Sequence, residues 1–402
     1  MSTVLRVRIA TFATIAMAAT SGCRDDDRAT GIEAMGAAAA FNPSTLTQGR
    51  EIFRFDTFGN ETFWSDTAAL HSKISEVVTP TLALSVGLKV DFDALPASLQ
   101  AQLIAGDVDL NSTASTIALI SLDAVVGVKG RVENGELVRV GVTCALCHST
   151  VDNSVMEGVG SRLDGWPNRD LNVGAIIALS DVVPDFPYNT WGPGMYDPRF
   201  NIDGKNTPIV LPPAFGLRHV RKETYTGDGE VSYWNAYVAI TQMHGHGTFV
   251  DDRIDVSVNN PPDLVSSKLA ALRAYQLSID APDPQPGSYD IAAARRGRKV
   301  FREDGACARC HQGTIFSDIN ANRLHDPDDV GQDDSYVVRS ATKLLRTTPL
   351  RGLWNPPQLD GPYFHDGSAP TLAAVVDHYV TQFKLSLTPR QKADLVEYLK
   401  TL

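Results

Sequence analysis

Cysteine, methionine and positive charge are all scarce in this chain. Its 402 residues include five cysteines and six methionines, and 36 lysines and arginines stand against 47 aspartates and glutamates, for a net charge of −11. The acidic balance argues against a nucleic-acid partner, because phosphate binding needs a basic stripe. No apolar run is long enough to cross a bilayer. The 43% hydrophobic content predicts instead a globular protein with two or three cores.

The first 22 residues have the features of a secretory signal. Two arginines precede an apolar run over residues 9–19 that ends in small residues. The Thr-Ser-Gly-Cys stretch that ends at Cys23 resembles a lipoprotein cleavage box, so Cys23 is the predicted lipid anchor; ordinary cleavage nearby is the alternative. Residues 23–40 are charged and then alanine-rich, which predicts a flexible tether. We expect an exported protein, either free in the periplasm or held on the outer membrane as a lipoprotein.

The remaining chain divides at a proline-rich linker. Residues 280–287, Asp-Ala-Pro-Asp-Pro-Gln-Pro-Gly, have the composition of an interdomain segment. The sequence therefore predicts an N-terminal domain over residues 41–279 and a C-terminal domain over 288–402. Residues 153–229 are rich in Gly, Pro, Asn and Asp, which predicts long loops around a site.

Local patterns predict a mainly α-helical fold with a minor β hairpin. Residues 45–90 suit short helices, and residues 292–301 are good helix formers. A final helix is predicted by Thr388 as N-cap, with Pro389 at the first helical position and an apolar stripe after it. The valine-rich residues 136–142 follow an Asn-Gly turn, which indicates the hairpin.

Four of the five cysteines lie in two Cys-x-x-Cys-His strings, which argues against a disulfide framework. The first and second strings are Cys144-Ala-Leu-Cys147-His148 and Cys307-Ala-Arg-Cys310-His311. Two thiols one turn apart can add to both vinyl groups of a haem, while the following histidine becomes the proximal iron ligand. The alternatives are thioredoxin-like thiol pairs or zinc ligands. The duplication after a secretory signal predicts two covalently bound c-type haems, one in each domain.

Methionine is missing where a second axial ligand is needed. No methionine follows Met243, so the C-terminal domain has no thioether of its own for the second iron. The nitrogen and oxygen candidates in that domain are His325, His365, His378 and Tyr379.

Two segments near the C-terminus carry a family resemblance. Thr-Pro-Leu-Arg-Gly-Leu-Trp at 348–354 and Pro-Tyr-Phe-His-Asp-Gly-Ser at 362–368 resemble the closing signature of the bacterial di-haem cytochrome c peroxidase superfamily. In that superfamily an axial ligand lies fourteen residues after the histidine of the second segment, as methionine in the peroxidases and as tyrosine in a tyrosine-ligated branch of maturation enzymes. The resemblance implies two cytochrome c-like domains, with Tyr379 as distal ligand of the second haem and His365 nearby. The alternative for Tyr379 is an ordinary core aromatic.

The N-terminal two thirds depart from the peroxidases. Residues 53–59, 143–149 and 164–168 instead look like a branch that includes the di-haem rubber oxygenases. The peroxidases pair a glutamate with a glutamine beside the first haem, whereas the corresponding stretch here offers Gln242 without a glutamate. That stretch also contains His244 and His246, either of which caps the first iron or serves as acid or base; structural histidines are the alternative.

The resemblance adds two further expectations. A tryptophan bridges the haems in the superfamily, and Trp166, Trp191 and Trp234 are the candidates, with buried packing as the alternative role. A calcium ion between the domains is implied by Asp360 and Pro362, which match its positions in the peroxidases.

Together these features predict an exported di-haem cytochrome that transfers electrons. The first hypothesis is a redox enzyme that acts on peroxide or dioxygen at the first haem. The second is a non-enzymatic electron carrier in which both irons are six-coordinate. A third is a protein that mainly docks its acidic surface on a periplasmic electron-transfer partner.

Overall fold

A computed structural model describes residues 42–183, 186–354 and 361–402. The predicted signal, the tether, Cys23 and Asp360 lie outside the described residues. Across those three ranges, no helix is both long and apolar enough to cross a membrane.

The described residues are rich in short helices. The α-helices are α1 Pro43–Phe55, α2 Leu70–Val77, α3 Pro80–Ser85, α4 Ala97–Ala105, α5 Thr113–Ser121, α6 Ala145–His148, α7 Val173–Ile177, α8 Phe200–Asp203, α9 Val231–Tyr237, α10 Leu269–Ser278, α11 Ile291–Arg302, α12 Pro327–Val330, α13 Leu372–Gln382 and α14 Pro389–Leu399. Two π-helical turns cover Thr62–Thr67 and Val238–Gln242. Short 3₁₀ turns cover Phe92–Ala94, Tyr188–Thr190, Asp252–Ile254, Ser266–Lys268, Cys307–Arg309, Ile319–Ala321 and Val337–Arg339.

Strands are short and pair only in twos within the described ranges. They are β1 Val90–Asp91, β2 Val128–Glu133, β3 Glu136–Val142, β4 Ser149–Val151, β5 Val159–Gly160, β6 Arg162–Asp164, β7 Met195–Tyr196, β8 Ile209–Val210, β9 Gly247–Asp251, β10 Val256–Asn260, β11 Leu324–His325 and β12 Leu345–Arg346. The pair β1–β5 is parallel, and β2–β3, β4–β6, β7–β8, β9–β10 and β11–β12 are antiparallel. This is compatible with the predicted mainly α fold, and β2–β3 is the predicted hairpin.

Helix caps follow the sequence signals closely. The Thr388 side chain accepts a hydrogen bond from the Gln391 amide, and Gln391 reciprocates, which makes a capping box at the start of α14. Leu395 and Leu399 are buried on the predicted stripe. The predicted helix over 292–301 is α11, and the linker before it is irregular.

Two helix pairs cross through glycines. A Cβ at Gly49 on α1 would lie 2.0 Å from the Ala271 carbonyl oxygen on α10, and a Cβ at Gly297 on α11 would lie 1.9 Å from that of Asp394 on α14. Any larger residue would force these helices apart. The first pair belongs to an apolar cluster that extends to Leu272, and the second to a cluster over the last hundred or so residues.

Buried ion pairs join the chain on both sides of the linker. The Arg339 guanidinium contacts the Asp197 carboxylate at 2.9 Å and that of Asp203 at 2.8 Å. The side chains of Arg339 and Asp197 are 1% and 0% exposed, so water does not share this contact. The division into two cytochrome c-like domains stays a prediction.

Candidate functional site

One internal cavity of about 720 Å³ reaches both Cys-x-x-Cys-His strings. All four cysteines and both histidines of the strings border it. The rest of the wall is mainly aliphatic and aromatic, with a few polar groups that converge on the interior, which is the usual composition of a ligand or cofactor site.

The first string lies on a single helical turn after the hairpin. Cys144 caps α6, and His148 ends it. Burial raises the pKa of the Cys144 and Cys147 thiols to about 12, so both are uncharged at neutral pH. Burial also lowers the pKa of His148 to about 4, and the nearby Pro212 carbonyl offsets only part of this. Among the described residues, the buried Nδ1 of His148 has no hydrogen-bond partner.

The second string holds its histidine more firmly. The Nδ1–H of His311 donates to the Phe316 carbonyl at 2.9 Å, and the Thr348 carbonyl also lies close to the ring. Burial lowers the pKa of His311 and raises that of Cys307 to about 11. The imidazole is therefore neutral and fixed in orientation before any ligand binds.

Tyr379 borders the cavity, whereas its neighbour His378 does not. The Tyr379 hydroxyl accepts a hydrogen bond from Gln332 Nε2 at 3.1 Å, and burial raises its pKa to about 12. Cys310 and Cys307 lie close enough to add to that rise. His378 instead donates Nε2–H to the Val330 carbonyl at 2.8 Å. Of these two sequence candidates, only Tyr379 faces the second string.

Gln332 also connects Tyr379 to His365. His365 is 1% exposed, and its Nδ1 lies 3.4 Å from Gln332 Oε1, while its buried Nε2 has no hydrogen-bond partner among the described residues. The Gln332 side-chain amide thus accepts a hydrogen bond from the His365 imidazole and donates one to the Tyr379 hydroxyl. Sequence reasoning missed Gln332, because nothing in its polar loop distinguishes it before the chain is folded.

The structure places Gln242 and His244 on the cavity wall but not His246. His246 donates Nδ1–H to the Pro261 carbonyl at 3.0 Å, and its Nε2 lies 3.2 Å from the Thr62 hydroxyl. The His244 ring stacks on Phe63 with centroids 3.5 Å apart, and burial lowers its pKa to about 4. Its backbone φ of 61° lies in the left-handed region, an uncommon conformation for histidine.

Tyr196 is a second polar group that sequence reasoning missed. Its hydroxyl donates to Gln242 Oε1 at 2.6 Å, and Gln242 Nε2 donates to Asn201 Oδ1 at 2.9 Å. Burial, with a smaller effect of Cys147, raises the pKa of Tyr196. Gln242 is therefore fixed with both ends of its amide occupied, beside the first string.

His325 belongs to a compact polar cluster at the second string. Its Nε2 lies 2.9 Å from the Thr347 hydroxyl and 3.2 Å from the Asp318 carboxylate, and one ligand atom each of Cys310, Asp318 and His325 lies within 4.8 Å of the others. This trio would suit a zinc ion if Cys310 were a free thiolate. A thioether at Cys310 excludes that use, so the two interpretations compete.

Two of the three candidate tryptophans border the cavity. They are Trp191, whose Nε1 donates to Asn206 at 2.7 Å, and Trp234, whose buried Nε1 has no partner among the described residues. Trp166 packs on Phe215, with ring centroids 6.1 Å apart, and does not border it.

Comparison with known proteins finds relatives over part of the chain. Methylamine utilization protein MauG of Methylorubrum extorquens is 30% identical over 161 residues, which cover 34% of this chain and 43% of the relative. MauG of Methylophilus methylotrophus is 27% identical over 128 residues, which cover 27% and 36%. The chain thus spans less than half the length of these curated relatives. No protein-family profile matches it.

Likenesses to solved structures are weak. A chain of Kuenenia stuttgartiensis hydrazine synthase has a TM-score of 0.35 and 20% identity, over 54% of this chain and 78% of that one. A MauG-like protein associated with microbial copper homeostasis has a TM-score of 0.24 and 22% identity, over 34% and 56%. The sequence relatives carry more weight than these likenesses. The chain is similar to the MauG proteins over about a third of its length, which supports its resemblance to the bacterial di-haem cytochrome c peroxidase superfamily.

Proposed function

We propose that the chain is an exported di-haem c-type cytochrome whose first string serves reaction with peroxide or dioxygen and whose second string serves electron storage and transfer. The observation that carries this proposal is the shared cavity. Both strings open onto it, with Tyr379 near the second and with Gln242 and His244 on the same wall.

The residues present fit a haem at each string. The thiols that would form thioethers are Cys144 and Cys147 for the first haem and Cys307 and Cys310 for the second, and all four are unpaired. The proximal ligands would be His148 and His311, both neutral because their surroundings lower the pKa of each imidazole. Each haem supplies reversible one-electron chemistry and, where one axial position is open, a place for peroxide to bind.

Around the first string, the chain's own task is to move protons. Reduction of one peroxide consumes two electrons and two protons and yields two water molecules. His244 is neutral at neutral pH and has a nitrogen lone pair for a proton, although burial makes it a weak base. Gln242, held by Tyr196 and Asn201, offers a fixed amide dipole where a glutamate stands in the peroxidases.

Around the second string, the chain's task is to fix one coordination state. Tyr379 would supply an oxygen ligand to a haem held there, and such an anionic oxygen would favour ferric iron and lower its potential. Gln332 donates a hydrogen bond to that oxygen and limits its donor strength. A low potential makes this site a source of electrons for the first.

Ligand binding to the loaded protein tests the division of labour. We expect cyanide or carbon monoxide to bind one equivalent per chain, at the His148 haem, and we expect stopped-flow mixing of the reduced protein with peroxide to give a rapid spectral change. Variants in which both cysteines of one string are replaced by serine show which haem gives the spectral change. No spectral change with peroxide or oxygen would remove the enzyme hypothesis.

A non-enzymatic electron carrier is the second candidate, because His244 borders the cavity as a neutral imidazole able to close the first iron. A carrier has both axial positions filled and resists cyanide. In that case His244→Ala would open the first iron and create cyanide binding that the unaltered protein lacks.

The location and partner complete the proposal. Export to the periplasm, with Cys23 as a lipid anchor, rests on the N-terminal sequence alone. A net charge of −11 favours a basic redox partner, so the electron-transfer rate should fall as salt increases. A calcium ion between the domains rests on the superfamily resemblance, with Pro362 the one described residue of its pair.

A further inference from the structure

The cavity wall contains an arginine that forms no ion pair with a carboxylate of the described residues. Arg169 borders the cavity, and its Nε and Nη1 atoms are buried without a hydrogen-bond partner among the described residues. A guanidinium cannot lose its proton at any physiological pH, so it cannot escape the cost of burial by becoming neutral. A buried charge of this kind needs a partner that carries the opposite charge.

A second arginine lies in the same wall. Arg346 Nη1 contacts Glu223 Oε2 at 3.3 Å and donates to the Lys222 carbonyl at 2.7 Å, while its buried Nε has no partner among the described residues. Tyr225 lies close to both arginines. Burial raises the pKa of Tyr225, and the positive charges of Arg169 and Arg346 oppose that rise. Among the described residues, Glu223 pairs with Arg346, and the second carboxylate near Tyr225, Asp366, forms no ion pair with Arg169.

The contacts of Arg169 place it relative to the two strings. The amide of Asn168, directly before Arg169, donates to the Cys147 carbonyl at 2.9 Å, so Arg169 leaves the backbone beside the first string. Its side chain reaches Tyr225 and Tyr363, and Tyr363 lies in the segment that contains His365. Arg169 therefore connects the surroundings of the two strings inside the cavity.

We propose that Arg169, with Tyr225 and Arg346 beside it, is a carboxylate-binding site, and that the carboxylate is a haem propionate. This inference rests on the proposed function. A haem attached through its vinyl groups still carries two propionates, which enter the cavity with it. A planar guanidinium binds a carboxylate through two parallel hydrogen bonds, and this match accounts for an arginine rather than a lysine.

The test compares Arg169→Gln with Arg169→Lys in the haem-loaded protein. The positive charge of Arg169 stabilises the electron added on reduction, so Arg169→Gln should shift the midpoint potential of one haem downward in spectroelectrochemical titration. Arg169→Lys should keep that potential closer to the original value. Arg131→Gln is the matched control, because Arg131 forms an exposed pair with Glu133 and should leave both potentials unchanged.

Two results would overturn the inference. One is a pair of unchanged potentials in Arg169→Gln. The other is an Arg169-dependent change in the spectrum of the loaded, unaltered protein when acetate is added, because a guanidinium already bound to a propionate does not take up a soluble carboxylate. If Arg169→Gln does not accumulate, the resonance Raman propionate bands of Arg169→Lys decide, and bands identical to those of the unaltered protein would contradict the inference. Fewer than two haems in the unaltered protein would instead contradict the proposed function.

Discussion

The two Cys-x-x-Cys-His strings share a cavity but differ in how the surrounding chain holds each imidazole. His311 is fixed through its Nδ1 by the Phe316 carbonyl. Tyr379 borders the same cavity, and its hydroxyl accepts a hydrogen bond from Gln332. In the described part of the chain, His148 Nδ1 has no hydrogen bond of this geometry, although the Pro212 carbonyl lies near the ring, and its side of the cavity offers Gln242 and His244. A fixed ligand set suits electron transfer, which needs little rearrangement, whereas a neutral imidazole beside a fixed amide suits a small-molecule substrate. The difference supports assigning different roles to the two sites.

Removal of the thiols should have the largest effect and separate the two roles. Cys144→Ser/Cys147→Ser and Cys307→Ser/Cys310→Ser should each lose one of two covalent haems, since serine cannot form the thioethers. Pyridine haemochrome assays count them. Only the first double variant should lose the rapid reaction with peroxide. A loss confined to the second double variant would reverse the assignment.

Arg339 joins the chain after the linker to Asp197 and Asp203 before it, and its removal should destabilise the parts around both strings. Arg339→Met leaves Asp197 buried without its partner, which should lower the free energy of unfolding by about 3–5 kcal/mol. Urea titration followed by Soret absorbance measures this. Arg131→Met, which breaks an exposed pair with Glu133, should cost less than about 1 kcal/mol. Similar costs for the two variants would show that water reaches the Arg339 pair.

Tyr379→Phe should remove the difference in coordination between the sites. Loss of the oxygen donor should open the second iron and raise its potential by on the order of 100 mV, because axial ligands set haem potentials over about 0.8 V. Electron paramagnetic resonance and redox titration report both changes. His378→Phe is the neighbouring control, since His378 is engaged with the Val330 carbonyl. An unchanged spectrum in Tyr379→Phe, with a changed one in the control, would transfer the ligand role to His378.

Acid should lower the free energy of unfolding through His244, which lies on the cavity wall near the first string. Its pKa is about 4 in the folded chain and about 6.5 when unfolded, so between these values the unfolded state binds more protons. The free energy of unfolding should therefore fall as pH falls from 6.5 to 4, by at most about 1.4 kcal/mol per pH unit from this residue. Thermal unfolding across this window should show a shallower dependence in His244→Gln. An equal slope in both proteins would place the His244 ring in water.

Gln332→Leu should have the smallest effect and sharpen the account of Tyr379. Without the donated hydrogen bond, the phenol oxygen becomes a stronger donor, so the potential of the second haem should fall. A bond worth roughly 1 kcal/mol corresponds to about 40 mV for one electron. Gln382→Leu is the control, because Gln382 lies on the same helix as Tyr379, α13, and donates to the Asp328 carbonyl rather than to Tyr379. A rise in potential would contradict the proposed direction.

Local features were predictable because their causes are local. The capping box at Thr388 and the hairpin turn after Glu133 each depend on residues a few positions apart. Tyr379 was reached by counting from a family signature; it borders the cavity, and its role as an iron ligand stays a prediction. Gln332, Tyr196 and Arg169 gave no signal, because each gains its meaning from residues far away in the sequence.

The sequence by itself determined the chemistry available, since the paired thiols and the histidine of each string adjoin along the chain and need no fold to be recognised. Tertiary structure decided which side chains share the cavity. It placed His244 on the wall and bonded His246 to Pro261, and it buried Arg169 Nε and Nη1 beside the first string with no hydrogen-bond partner in the described ranges. Such placements arise from packing between distant segments, and residue order alone does not specify which of two similar side chains turns inward.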